Sequence, residues 1–386
     1  MPDYSSPLTT DITSNTFTKD GLNTPSYQSN ASESPLATAN PNPNPYLTSA
    51  AIVPDFNGDG KADKVWVNSA TGETQIWLMD GSTVTEKGSL GTYDVSSWTF
   101  NIADFNGDGK TDFLLHNKST GENVVALIDG TTVASSASLE RVDPASTASI
   151  GDFNGDRKTD ILWHNAQSGE NTILLMDGST VTSSTALDNS DPAFTPTIVD
   201  FDGNGKSDIF FRNATTGENK VWFMDGDQAT PFDLQSQDAA WTASLGDFNG
   251  DLKTDILWRN TQTGENKVWT MNGVLVNEGA LTTLDANWQS SIGDFNGDGK
   301  TDVLWHNKQT GENTVWLMDG TTVSSEAVLG LSNPSSVASI GDYNGDGKSD
   351  VFWRNYQTGD NTIWTMDGTN VTETPTDSLS PEWYTF

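Results

Sequence analysis

From about residue 48 onward, short runs of β-forming residues alternate with clusters of Gly, Asp, Asn and Thr. The unit shows cleanly at residues 288–331. Trp288 to Asp294 (WQSSIGD) predicts a short strand, and Asp302 to Asn307 (DVLWHN) a second one rich in β-formers. Lys308-Gln309-Thr310-Gly311-Glu312 reads as a hairpin loop with Gly311 in the left-handed region. Asn313 to Met318 (NTVWLM) is the third strand, Asp319-Gly320 a two-residue turn of type I′, and Thr321 to Leu329 the fourth and most variable strand. No part of the unit shows the 3.6-residue period of an amphipathic helix.

Between the first two strands lies a nine-residue stretch, Asp294-Phe295-Asn296-Gly297-Asp298-Gly299-Lys300-Thr301-Asp302. Copies open at Asp55, Asp104, Asp152, Asp200, Asp247 and Asp342, so successive openings lie 49, 48, 48, 47, 47 and 48 residues apart. Four antiparallel strands per unit and seven units predict an all-β fold, a seven-bladed β-propeller over residues 46–386. Residues 1–45 are rich in Ser, Thr, Asn and Pro and end in PNPNP. They lack the apolar surface to offset ordering entropy, and a disordered arm or spacer is expected. Trp383 has the local context of Trp98, Trp241 and Trp288, each six residues before a loop, yet no loop follows it. The two termini are therefore expected to meet in one blade, the last residues lying beside 47–54.

Each nine-residue stretch places side-chain oxygens at positions 1, 3, 5 and 9, with glycine at 4 and usually at 6. Hard cations such as Ca2+ take six to eight oxygens in flexible geometry, and the position-7 backbone carbonyl can add another. The candidate ligands are Asp55, Asn57, Asp59, Lys61 and Asp63 in the first loop, and Asp104, Asn106, Asp108, Lys110 and Asp112 in the second. The third holds Asp152, Asn154, Asp156, Lys158 and Asp160, and the fourth Asp200, Asp202, Asn204, Lys206 and Asp208. The fifth holds Asp247, Asn249, Asp251, Lys253 and Asp255, and the sixth Asp294, Asn296, Asp298, Lys300 and Asp302. The seventh has Asp342, Asn344, Asp346, Lys348 and Asp350. Each lysine would act through its carbonyl. The fourth loop exchanges its ligands, with Asp202 at position 3 and Asn204 at position 5. Arg157 and Leu252 stand where glycine is expected at position 6, so the third and fifth sites are expected to be the weaker ones.

The D-x-N-G-D-G-x-x-D pattern followed by a β-rich strand resembles the FG-GAP/VCBS repeat family, the blade type of the integrin α-subunit propeller. The likeness covers residues 48–386. It implies one Ca2+ per loop between the first two strands of a blade, on the residues named above. An EF-hand reading fails, because position 12 is Trp305 rather than Glu and strands replace the flanking helices.

Net charge is −34. Three carboxylates in each loop account for part of it, and the sign argues against nucleic acid as a partner, since phosphate binding needs a basic face. No apolar stretch is long enough for a membrane helix. Cysteine is absent, so disulfides and thiolate metal sites are excluded. The start has no basic region followed by an apolar one, as a conventional secretory signal would. Loops filled at millimolar Ca2+, together with the family resemblance, still lead us to expect an extracellular or surface-associated protein.

Catalysis is not expected. Active sites are asymmetric, whereas His116, His164 and His306 share one repeat position with Arg212, Arg259, Arg354 and Val67. The T-G-E-N run at Thr216 to Asn219, Thr263 to Asn266 and Thr310 to Asn313, with T-G-D-N at Thr358 to Asn361, recurs from blade to blade and is read as hairpin chemistry; the His/Arg position is read as a strand-surface residue pairing with carboxylates such as the glutamate of that run. A non-catalytic scaffold for binding, adhesion or assembly is the leading reading, with a protein or glycan ligand and an N-terminal arm able to dock on a partner. The alternative is a lectin. The chain is similar, at fold level, to a mushroom N-acetylglucosamine-binding propeller, and 14 Trp recur at fixed positions. Trp66, Trp163, Trp258, Trp305 and Trp353 fall on second strands; Trp77, Trp222, Trp269, Trp316 and Trp364 fall on third strands. They serve either sugar stacking or packing between blades. Leu115, Ala126, Leu174 and Phe211 replace Trp at these positions, which suits packing better.

Overall fold

A computed structural model describes residues 53–385. The expected arm, 1–45, and the 47–52 part of the closure segment lie outside them. The described residues form seven four-stranded antiparallel sheets and no helix. The predicted unit is reproduced within two residues: Trp288–Gly293, Asp302–Asn307, Glu312–Asp319 and Thr322–Leu331. One detail differs. Asp319 pairs with Thr322, so the turn's central residues are Gly320-Thr321. Only Gly320 has a positive φ, at 61°, the pattern of a type II′ rather than a type I′ turn.

Second strands such as Asp302–Asn307 are buried at every position, which explains why they read as continuous apolar runs rather than alternating ones. Each of the seven apolar clusters is shared by two adjacent blades. One joins Phe248, Leu257 and Val268 to Ile292, Val303 and Trp305; another joins Phe295, Leu304 and Val315 to Ile340, Val351 and Trp353. A blade therefore buries neither face without its neighbours, and the ring is the folding unit.

Closure combines both ends of the chain. Trp383–Thr385 pairs with Lys64–Asn68, Trp383 standing opposite Asn68 as Trp98 stands opposite Asn117. The Asp63 N–H donates to the Pro54 carbonyl at 2.5 Å. The first strand of this blade thus has its leading half from the C-terminal residues and its trailing end at Pro54. The expected meeting of the ends is present, with the last residues registered on 66–68. Lys64, buried where other blades carry Phe, Ile or Val, lies over the Phe352 ring of the seventh blade at 4.6 Å.

Candidate functional site

Strand direction puts all seven loops, and the turns between third and fourth strands such as that at Asp319-Gly320, at one face of the ring. The T-G-E-N hairpins and the connections between blades occupy the other face. Within the sixth loop, Asp294 Oδ1 accepts from the Gly297 and Asp298 N–H at 2.7 and 3.2 Å, and Oδ2 from Gly299 at 2.8 Å. Asn296 Oδ1 accepts from the Asp298 N–H at 2.8 Å, and Asp298 Oδ1 from the Lys300 N–H at 2.9 Å. Asp302 reaches across, accepting from the Phe295 N–H at 3.0 Å and the Met318 N–H at 2.8 Å. The Lys300 side chain is engaged outside the loop, its Nζ on Asp319 at 2.7 Å. Equivalent bonds recur in the other loops, so backbone N–H donors orient the first-position carboxylate of each.

Arg157 and Leu252 are the non-glycine residues with positive φ among those described, at 68° and 69°. They keep the loop's shape, their N–H groups still donating to Asp152 and Asp247 at 2.7 Å, at the cost of left-handed backbone.

These carboxyl groups sit where water is scarce. Burial raises Asp63, Asp112, Asp160 and Asp350 to about 7, and Asp208, Asp255 and Asp302 to about 8, with neighbouring aspartates of the same loop pushing the same way. Asp200 is raised to about 6 by the same causes. In the fourth loop Asp200, Asp202 and Asp208 each offer an oxygen within 4.8 Å of the others. Elsewhere the same three positions hold two aspartates and an asparagine. A set of hard oxygens, short of compensating charge and held by backbone N–H donors, fits a divalent cation such as Ca2+ and offers no soft ligand.

Each loop also fastens the next blade. The Ser349 N–H donates to the Asp294 carbonyl at 2.7 Å, and the Gly368 N–H to the Phe295 carbonyl at 2.8 Å. The same two bonds recur at the closure, from Ala62 to Asp342 and from Gly81 to Tyr343, at 2.6 and 2.7 Å. Glycine at position 4 is constrained here as well: a Cβ on Gly297 would lie 3.2 Å from Lys348 Cγ of the next loop, and its φ is +75°.

The His/Arg position is not on the surface. His116 and Arg354 are buried, and the bonds run to the asparagine of T-G-E-N rather than to its glutamate. His116, His164 and His306 Nδ1 lie 2.7, 2.9 and 2.9 Å from Asn123, Asn171 and Asn313 Oδ1; Arg259 donates to Asn266 at 3.0 Å. Each ring or guanidinium also lies on the second-strand aromatic of the following blade: His306 on Trp353 at 5.0 Å, Arg212 on Trp258 at 4.7 Å, Arg354 on Trp66 at 5.1 Å. The position escaped sequence reasoning in part, although one signal was available. The first blade has Val67 and Thr74 in place of the basic residue and the asparagine, and Leu115 in place of Trp on the next blade.

The ten second- and third-strand Trp are buried, Trp222 the most exposed at 6%. They pack blades together, and their faces are not available for sugar stacking.

A family model described as an FG-GAP-like repeat matches residues 55–115, 152–211, 200–258, 247–305 and 294–353. No curated protein matches. Among solved structures, the chain is similar to an Agrocybe aegerita lectin described by its specific recognition of non-reducing terminal N-acetylglucosamine. The identity is 14%, coverage is 88% of this chain and 98% of that one, and the TM-score is 0.69. It is also similar to a post-proline cleaving enzyme from Rickettsia typhi, at 9% identity and TM-score 0.51, covering 82% of this chain and 54% of that one. At these identities the likeness is one of fold.

Proposed function

The chain belongs to the FG-GAP-like repeat family, and from that premise we propose that it is a non-catalytic binding scaffold whose seven loops hold structural Ca2+. The observation that carries the reading is the sevenfold recurrence of buried carboxylates in loops that also fasten the next blade. Position 1, 3, 5 and 9 oxygens and the position-7 carbonyl would hold the ion, and the ion would supply the positive charge that burial denies them. Linkage contributes about 2.7 kcal/mol per site at 100 times Kd, and about 19 kcal/mol over seven independent sites, enough to decide whether a domain of ordinary stability folds. Support for a non-catalytic role comes from the histidines, each locked between an asparagine and a blade interface. Adhesion or assembly at a surface where calcium is millimolar suits loops of this kind.

Metal content and thermal unfolding test the proposal. Purified protein is expected to carry up to seven Ca2+ and to lose more than about 10 °C of its midpoint when stripped of metal. An unchanged midpoint would sink it.

A further inference from the structure

The position-7 lysines are engaged outside their loops, and the fifth blade differs from the rest. In six blades the ammonium pairs with the aspartate that opens the turn between third and fourth strands. Lys61 meets Asp80 at 2.6 Å, Lys110 and Lys158 meet Asp129 and Asp177 at 2.5 Å, and Lys206 meets Asp225. Lys300 meets Asp319 at 2.7 Å and Lys348 meets Asp367 at 2.6 Å. The fifth blade has Asn272 at that place, whose amide oxygen accepts from Lys253 Nζ at 2.9 Å. A neutral amide leaves the ammonium charge uncompensated, and Lys253 Nζ also stands 3.8 Å from Asp251 Oδ2, the position-5 carboxylate of its own loop. Among the described residues no other loop lysine pairs with a carboxylate of its own loop.

The carboxylate is arranged differently as well. In the other loops with Asn at position 3 and Asp at position 5, the asparagine Nδ2 donates to the aspartate Oδ2. Asn57, Asn106 and Asn154 do so at 3.2, 3.0 and 3.1 Å, and Asn296 and Asn344 at 3.2 and 3.3 Å. Asn249 makes no such bond to Asp251, whose Oδ2 has the Lys253 ammonium beside it instead. Leu252 does not account for this. The third loop carries Arg157 in the same left-handed backbone and keeps its Asn154–Asp156 bond. The difference traces to residue 272, on a turn outside the nine-residue stretch.

We infer that Asn272 weakens calcium binding at the fifth loop, so that this loop empties before the second and the sixth; the inference rests on the calcium reading of the loops. A cation entering the fifth loop must draw Asp251 Oδ2 away from an ammonium. It also meets one negative charge fewer than in the sixth loop, where Asp319 balances Lys300. Affinity in oxygen-ligand loops follows the charge gathered around the ion. The Asp247 carbonyl accepts from the Thr301 N–H at 2.6 Å and the Phe248 carbonyl from the Gly320 N–H at 2.7 Å, so this loop fastens the sixth blade to the fifth. Falling calcium then loosens that seam ahead of those held by the second and sixth loops.

Hydrogen exchange of the full chain at graded free Ca2+, read by mass spectrometry, follows each loop separately. Residues 247–255 are expected to need about fivefold more calcium for half-protection than 104–112 or 294–302. Asn272→Asp should bring 247–255 level with them, as should Lys253→Gln, which removes the competing charge. Asp319→Asn should impose the same deficit on 294–302. Leu252→Gly should leave the fifth-loop midpoint where it is. Exchange independent of calcium in every loop would overturn both this inference and the calcium reading. Calcium-dependent protection with equal midpoints in the three loops, or a deficit cured by Leu252→Gly and not by Asn272→Asp, would overturn this inference alone.

Discussion

At position 9 of each loop a carboxylate is buried beneath two backbone N–H donors, and burial outweighs those donors. In the unfolded chain such groups ionise near pH 4; folded and without metal, Asp208, Asp255 and Asp302 keep their protons to about 8. A raised carboxyl adds stability that is complete below the unfolded value and is lost as pH rises through the folded one. Metal-stripped protein should therefore melt higher at about pH 5 than at about pH 8.5, and calcium, which needs ionised ligands, should reverse that order. Melts at the two pH values check both halves, and a metal-free midpoint that climbs with pH would contradict the burial argument. Leu252 makes a second residue-scale case. Its φ of 69° is the left-handed cost that the sequence anticipated, and at Gly299, the equivalent position, an added Cβ meets nothing within 4 Å. Only backbone conformation is at issue, so Leu252→Gly should raise stability by about 1 kcal/mol in a urea titration.

At the scale of an element, the hairpin after the second strand shows why a motif can recur without being a ligand site. A Cβ on Gly311 would stand 2.1 Å from the Ser332 carbonyl oxygen, and φ is +78°. Asn313 Nδ2 donates to the Gly311 and Gly330 carbonyls, joining the third strand to its own hairpin loop and to the end of the fourth strand. T-G-E-N is thus hairpin chemistry, as its repetition implied, but its asparagine also orients the buried His or Arg. Gly311→Ala should cost about 3 kcal/mol or more, since both backbone strain and a clash with backbone must be relieved. A loss in the urea midpoint no larger than that of an exposed Ala substitution would show that the loop can open.

At the scale of the molecule, stability rests on closing the ring through a three-residue strand. Arg354 is the residue most invested in that closure. Its guanidinium donates to the Gly359, Leu379, Ser380 and Trp383 carbonyls and lies over Trp66 of the first blade. Arg259 makes an analogous set between consecutive blades, where the chain itself maintains the neighbourhood. Arg354→Met should cost about 3 kcal/mol by leaving buried carbonyls unpaired. It should also expose the Trp383–Thr385 strand to amide exchange, while Arg259→Met should lose stability without releasing that strand. Equal exchange in both variants would show that closure does not depend on Arg354.

Local chemistry determined much of this protein by itself. Glycine spacing, acidic loops and runs of β-formers act over nine to fifty residues, so strand count, loop position and sevenfold repetition were legible, down to the strain at Arg157 and Leu252. What only the tertiary structure decided lies between blades. The burial of the His/Arg position and the use of every second- and third-strand Trp for packing both depend on which neighbour supplies the facing atom. That neighbour is about fifty residues away, or at the other end of the chain for Trp66 and Arg354. Periodicity tells which residues share a face; it cannot tell what the next blade places against them.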